Sequence, residues 1–184
     1  MRNSAFPILI VLVPSYAVAY LAAAWLAPLG GGASLALVLA APLIWLSVTD
    51  MRRFEIPDTA TLIIALCGLW FQWVARPDTL WIEVAFACAL TAVLWIGGGV
   101  FFQRTGREGL GIGDAKLIGA GALCTGFAGI WWALLLACLG GIAMLLAGRG
   151  TGRLGRESGI PFGPFLAYAI YMVFLLQFPS MSWH

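Results

Sequence analysis

The sequence predicts an all-α polytopic membrane protein, a bundle of about seven spans (six to seven) with its N-terminus in the cytoplasm. Three observations carry that expectation. Hydrophobic residues make up 62% of the chain and charged residues only 10%, with a mean hydropathy of +0.97, whereas about a quarter of a soluble domain is charged. The apolar residues lie in runs, most of them near the ~20 residues that cross a ~30 Å hydrocarbon core. The basic residues fall in alternate connections between those runs. A net charge of +2 is too small to imply a nucleic-acid partner.

Arg2 precedes the first run, about Pro7 to Leu29. Its Ala22–Ala24 stretch imitates a signal-peptide cleavage site, but the run is long enough to span and no polar mature domain follows it. Gly30 to Gly32 turns the chain into a second span, about Ala33 to Thr49, which runs into the polar cluster Asp50 to Asp58. A third span covers Thr59 to Ala75, and Arg76-Pro77-Asp78-Thr79 suits a tight turn. The fourth covers Leu80 to Phe102, followed by the basic stretch Gln103 to Gly109. The apolar pattern resumes after Asp114 as a short fifth segment to Thr125, with Gly126 to Gly129 brief enough only for a turn. A sixth segment, Ile130 to Ala147, precedes the basic loop Gly148 to Gly159, and a seventh covers Ile160 to Phe178.

Short cytoplasmic loops carry the excess of arginine and lysine. With seven spans and the N-terminus inside, nine of the ten basic residues fall on the cytoplasmic side and only Arg76 outside. The C-terminus is then outside.

The four cysteines, Cys67, Cys88, Cys124 and Cys138, lie in apolar runs without a Cys-x-x-Cys pair, and the one histidine is His184. They read as small apolar packing residues, so neither a metal site nor a Ser-His-Asp triad is expected. The tryptophans, among them Trp25, Trp70, Trp73, Trp81, Trp131 and Trp132, read as an interfacial aromatic belt.

Chemistry concentrates at Gly109 to Leu117, where alternating glycines lead to Asp114 and Lys116. An aspartate or lysine at the centre of a membrane helix is unfavourable by about 2.5–3.5 kcal/mol on insertion scales, so such residues usually line a cavity or do chemistry. Asp50 ends the second span and Asp114 begins the fifth. Two complete spans separate them, which puts both on one membrane face. If the second and fifth helices pack together, the carboxyls meet at the mouth of the bundle. Two close carboxyls share one proton, and the pair can act as base and acid toward water and a peptide carbonyl. Taken alone, each has a plainer reading: Asp50 as a solvated loop residue, Asp114 as the N-cap of a helix. The glycines offer close backbone approach and unusual dihedrals beside an extended substrate.

The pair Asp50 … Ile56-Pro57-Asp58 and Gly111-Ile112-Gly113-Asp114-Ala115-Lys116-Leu117 resembles the two signature motifs of type IV prepilin peptidases, intramembrane aspartic proteases of the Gly-x-Gly-Asp type. Ile160-Pro161-Phe162-Gly163-Pro164-Phe165-Leu166 is similar to the family's last conserved segment. The resemblance runs from the second span to the C-terminus, a motif-bearing core of about 33–178 within one membrane domain, with 1–32 accessory. It implies Asp50 and Asp114 as the catalytic dyad, with Asp58, Gly111, Gly113, Lys116, Pro161 and Gly163 binding substrate or shaping the site. Lys116 could pair with a carboxylate or with substrate, or snorkel to headgroups. The implied activity is cleavage of the short basic leader from prepilin-like proteins at the cytoplasmic face of the bacterial inner membrane. Neither metal nor organic cofactor is implied, and the oligomeric state stays open.

Larger bacterial members of that family carry an N-terminal insertion with two Cys-x-x-Cys pairs, linked to N-methylation. Only Gly30 to Gly32 separates the first two runs here, so the expected activity is peptidase without N-methyl transfer. Two alternatives remain: a related protease acting on other single-span proteins, and a proton-coupled transporter or channel using Asp50, Asp114 and Lys116 as an ion path. Glu55 and Glu108 read as solvated partners of Arg52 and Arg107, Glu83 as a residue of the outer interface, and the arginines at 149, 153 and 156 as lipid-headgroup contacts.

Overall fold

The computed structural model describes residues 6–26, 32–106, 111–150 and 161–177. Among these there is no strand. The helices are α1 (Phe6–Leu26), α2 (Gly32–Arg53), α3 (Asp58–Ala75), α4 (Leu80–Thr105), α5 (Ile112–Gly150) and α6 (Gly163–Gln177), with a 3₁₀ turn at Pro77–Thr79 between α3 and α4. Four described stretches, 34–53, 58–75, 77–105 and 112–146, are long and apolar enough to cross a membrane. The expected turn at Gly30, the loop 151–160, Arg107 and Glu108 lie outside the described residues.

α5 is not one rod. Gly126 has φ 71° and ψ 177°, a left-handed conformation that glycine adopts without steric penalty. A Cβ on Gly121 would lie 3.3 Å from Ile130, and one on Gly129 would lie 2.8 Å from the Thr125 Cβ. Such contacts arise only where the chain doubles back. α5 is therefore two antiparallel arms, residues 112–125 and 127–150, and with five unbroken helices they account for the seven expected segments. The turn expected over Gly126 to Gly129 is reduced to Gly126 itself.

The first arm is about 21 Å long at ~1.5 Å per residue, shorter than the ~30 Å hydrocarbon core. Non-helical backbone at that depth persists only where protein surrounds and satisfies it. Here three helices do so. From α3, Gln72 Nε2 donates to the Leu123 carbonyl at 3.1 Å, and from α6, Gln177 Nε2 donates to the Thr125 carbonyl. The Phe127 N–H donates to Glu83 Oε2 of α4 at 2.9 Å. Glu83 thus caps the second arm instead of facing the outer interface alone. Exposed Trp70, Trp73, Trp81 and Trp132 lie towards this turn end, as an interfacial belt requires.

α5 packs on α6, α3 and α4, while α2 packs on α6 and α3, and α1 rests on α2 and α6. Direct contact between α2 and α5 is slight. The condition that the second and fifth helices pack together is not met directly: α3 and α6, each packed on both, stand between them. Gly68 explains why α3 holds that place, since a Cβ there would be 2.7 Å from the Cys124 backbone nitrogen, and its absence lets the two backbones close up. Tyr16 anchors α1, its ring 4.8 Å from Tyr171 and 5.3 Å from Tyr168. Of the cysteines, Cys124 is buried and Cys67 half-buried, whereas Cys88 and Cys138 are exposed. The packing reading therefore fails for the last two.

Candidate active site

α2 ends in its basic residues Arg52 and Arg53, and Phe54, at φ 55°, turns the chain out of the helix. A bulky residue in the left-handed region is strained, and such strain clusters at functional sites. The turn sends Glu55, Ile56 and Pro57 across the end of the bundle into α3. Asp50, one turn before the helix ends, is 6% exposed.

One partner of Asp50 comes from α6. Gly163 opens that helix with Pro164 next, a position where proline is at home because the first-turn N–H groups lack helical partners. The free Gly163 N–H donates to Asp50 Oδ2 at 3.0 Å. A Cβ on Gly163 would stand 2.7 Å from that oxygen, so the approach requires glycine. The positive end of the α6 dipole also favours a carboxylate there. Pro161 lies half-buried just ahead of this turn.

Asp114 sits in the first turn of α5. It is the third helical residue, not the N-cap, and its carboxyl accepts a hydrogen bond from the Gly111 N–H, the returning half of a capping box. A Cβ on Gly111 would be 3.2 Å from Asp114 Oδ2. The charge of Asp50 acts on Asp114 across the mouth of the bundle. Two carboxyls so placed, each with a backbone donor and spare lone pairs, can hold one shared proton and one water.

The motifs meet at further points. A Cβ on Gly113 would lie 2.8 Å from Ile56, so glycine there admits the isoleucine of the α2–α3 connection. Lys116 Nζ pairs with Asp58 Oδ1 at 2.7 Å. At Gly113 the room expected for a substrate is taken up by the chain's own Ile56, and Gly113 does not have positive φ, whereas Gly111 borders a cavity of about 200 Å³. All of Asp50, Asp58, Gly111, Gly113, Asp114, Lys116, Pro161 and Gly163 therefore gather at one end of the bundle. Among the described residues no cluster of histidine, cysteine, aspartate or glutamate has the makings of a metal site.

Sequence reasoning passed over Gln72 and Gln177, polar residues inside apolar runs whose position alone flags a buried partner, and Gly97-Gly98-Gly99, a glycine run within α4. Residues 37–146 match the model of the type IV leader peptidase family. A prepilin leader peptidase/N-methyltransferase of Xanthomonas campestris pv. campestris is 38% identical over 76% of this chain and 48% of its own length. Proteins of the same name from Burkholderia pseudomallei and Aeromonas hydrophila are 36% and 33% identical, over 74% and 86% of this chain and 44% and 54% of theirs. The chain spans about half the length of the curated relatives it matches. No solved structure matches it.

Proposed function

The chain belongs to the type IV leader peptidase family, and on that premise we propose that it is an aspartic endopeptidase removing the short basic leader from prepilin-like substrates. The observation that carries this reading is the interlock of the two motifs, with the charge of Asp50 acting on Asp114, Ile56 seated on Gly113, and Lys116 paired with Asp58. In this reading Asp50, buried and held by the Gly163 N–H, is the anionic member, and Asp114 carries the proton. Asp50 takes a proton from the bound water as its oxygen attacks the scissile carbonyl, while Asp114 donates to the carbonyl oxygen. Collapse of the tetrahedral intermediate returns a proton from Asp50 to the leaving nitrogen, the C–N bond breaks, and one of the diol's two hydroxyl protons restores Asp114, leaving the other on the product carboxylic acid.

The other candidate residues shape this site. Gly111 and Gly113 let the start of α5 close on Asp114 and Ile56, Asp58 and Lys116 tie the α2–α3 connection to α5, and Pro161 and Gly163 aim the start of α6 at Asp50. The site would face the cytoplasm at the inner membrane, where the basic segments collect, with the substrate's apolar helix in the bilayer. Cleavage without N-methyl transfer is part of the proposal. A processed pilin whose mass shows an added methyl, made by this chain alone, would overturn that part.

The test is leader processing of a co-expressed prepilin by wild type, Asp50→Ala and Asp114→Ala. Wild type should shorten the prepilin and both variants should leave it full length; undiminished cleavage by either variant removes the dyad.

A further inference from the structure

We propose that the wedge between α3 and α4, floored by the first arm of α5, seats the membrane helix of the substrate, an apolar helix bearing a polar segment at its dyad end. The proposal rests on the peptidase reading and adds where the substrate lies.

α3 and α4 are joined by a tight turn, yet they share little packing and each lies instead on α5. Helices that diverge in this way leave a cleft. It has a volume of about 710 Å³ and is lined by small side chains such as Ala65, Ala87, Thr91, Gly119 and Ala120, with the Asp58–Lys116 pair at its mouth. Trp95 also borders a second cavity of about 200 Å³, which reaches Gly98 and Gly111. Gly111 bonds Asp114, and Lys116 is two residues beyond Asp114, so the two cavities flank the start of α5 where Asp114 sits.

A second feature points the same way. Gly97-Gly98-Gly99 interrupts α4; Gly98 and Gly99 border the second cavity, and Gly99 has no neighbour within 4 Å of a Cβ position. Glycine destabilises a helix interior relative to alanine, and nothing within the described chain packs against the Gly99 position to compensate for it. In lipid, where apolar burial gives no drive to associate, small residues mark the surfaces at which a second helix comes close. An acyl chain packs on any apolar face and needs neither glycines nor an ion pair. A helix continuing into a polar segment uses both.

The native cysteines supply the experiment. Cys88 lines the wedge and is exposed, whereas Cys138 is exposed but outside it. A Cβ on Gly119 would be 3.3 Å from the Ala87 carbonyl, which sets Cys88 about 8 Å beyond Asp114 at the rise of a helix. Asp114→Asn protein would be bound to a prepilin carrying a single cysteine moved residue by residue along its apolar helix, and disulfides formed under mild oxidation. Crosslinks to Cys88 should peak about five residues past the scissile bond, recur every three to four residues, and exceed those to Cys138 at least tenfold. Equal or greater crosslinking to Cys138, or none to Cys88, overturns the seat. In wild-type background, Gly99→Leu should raise KM for prepilin about tenfold, because Gly99 borders the smaller cavity and has open space at its Cβ position; an unchanged KM also counts against it. Wild type that cleaves no prepilin would instead refute the peptidase reading.

Discussion

At the turn end of the bundle, Gln72, Glu83 and Gln177 reach from three helices to backbone groups freed by the break at Gly126. At the dyad end the direction reverses: backbone N–H groups of Gly163 and Gly111 reach for the side chains of Asp50 and Asp114. Both ends place polar atoms in an apolar chain, and both rely on a glycine. The difference lies in what is left over. Side chains at the turn end serve the backbone, so their loss should register as stability. At the dyad end the backbone serves two carboxyls that keep free lone pairs, so their loss should register as activity.

The largest expected effect breaks the dyad end alone. Asp50→Asn and Asp114→Asn should each lower prepilin cleavage by at least about 10²–10⁴-fold, the range of general acid–base contributions, with thermal unfolding in detergent close to that of wild type. A fall in unfolding temperature matching the loss of activity would erase the distinction between the two ends. Next, Gly163→Ala brings a methyl to within 2.7 Å of Asp50 Oδ2. The carboxyl must shift, and a displacement on the order of 1 Å costs about 10²-fold in rate. Steady-state kinetics should show this in kcat more than in KM.

The turn end should behave in the opposite way. Glu83→Leu leaves the Phe127 N–H without its acceptor, and Gln72→Leu does the same to the Leu123 carbonyl; each should cost about 1–3 kcal/mol of stability, read by denaturant unfolding in micelles. Cleavage per folded molecule should remain within about twofold. Glu83→Gln keeps an acceptor oxygen and should recover most of the loss. The smallest effect on stability is expected at Lys116→Met. Its pair with Asp58 is well exposed, at 43% and 73% for the two side chains, and such pairs contribute about 0–1 kcal/mol, a difference that added salt should shrink further.

That Asp50 and Asp114 gather at one end of the bundle was legible in the sequence: both are carboxylates at the ends of apolar runs, and counting spans puts them on one face. The turn at Gly126 was legible for a similar reason, as a glycine between two helical patterns. What surrounds them was not. Apolar composition does not say which helices are neighbours, so contact between α2 and α5 could be stated only as a condition, and the close α3–α5 approach that Gly68 permits was out of reach. Lys116 and Asp58 each stood out, but 58 residues separate them and only the folded bundle makes them partners. Gln72 and Gln177 carried a signal that was passed over, since an amide inside a membrane run must find a backbone group or another helix.

The central claim is that Asp50 and Asp114 act as one unit on one water. A double-mutant cycle on single-turnover cleavage of purified prepilin addresses it most directly, using wild type, Asp50→Asn, Asp114→Asn and the double variant. Groups that work together are strongly non-additive, so the double variant should be no slower than the slower single one. Losses that multiply, or a single variant that cleaves at the wild-type rate, would contradict the dyad.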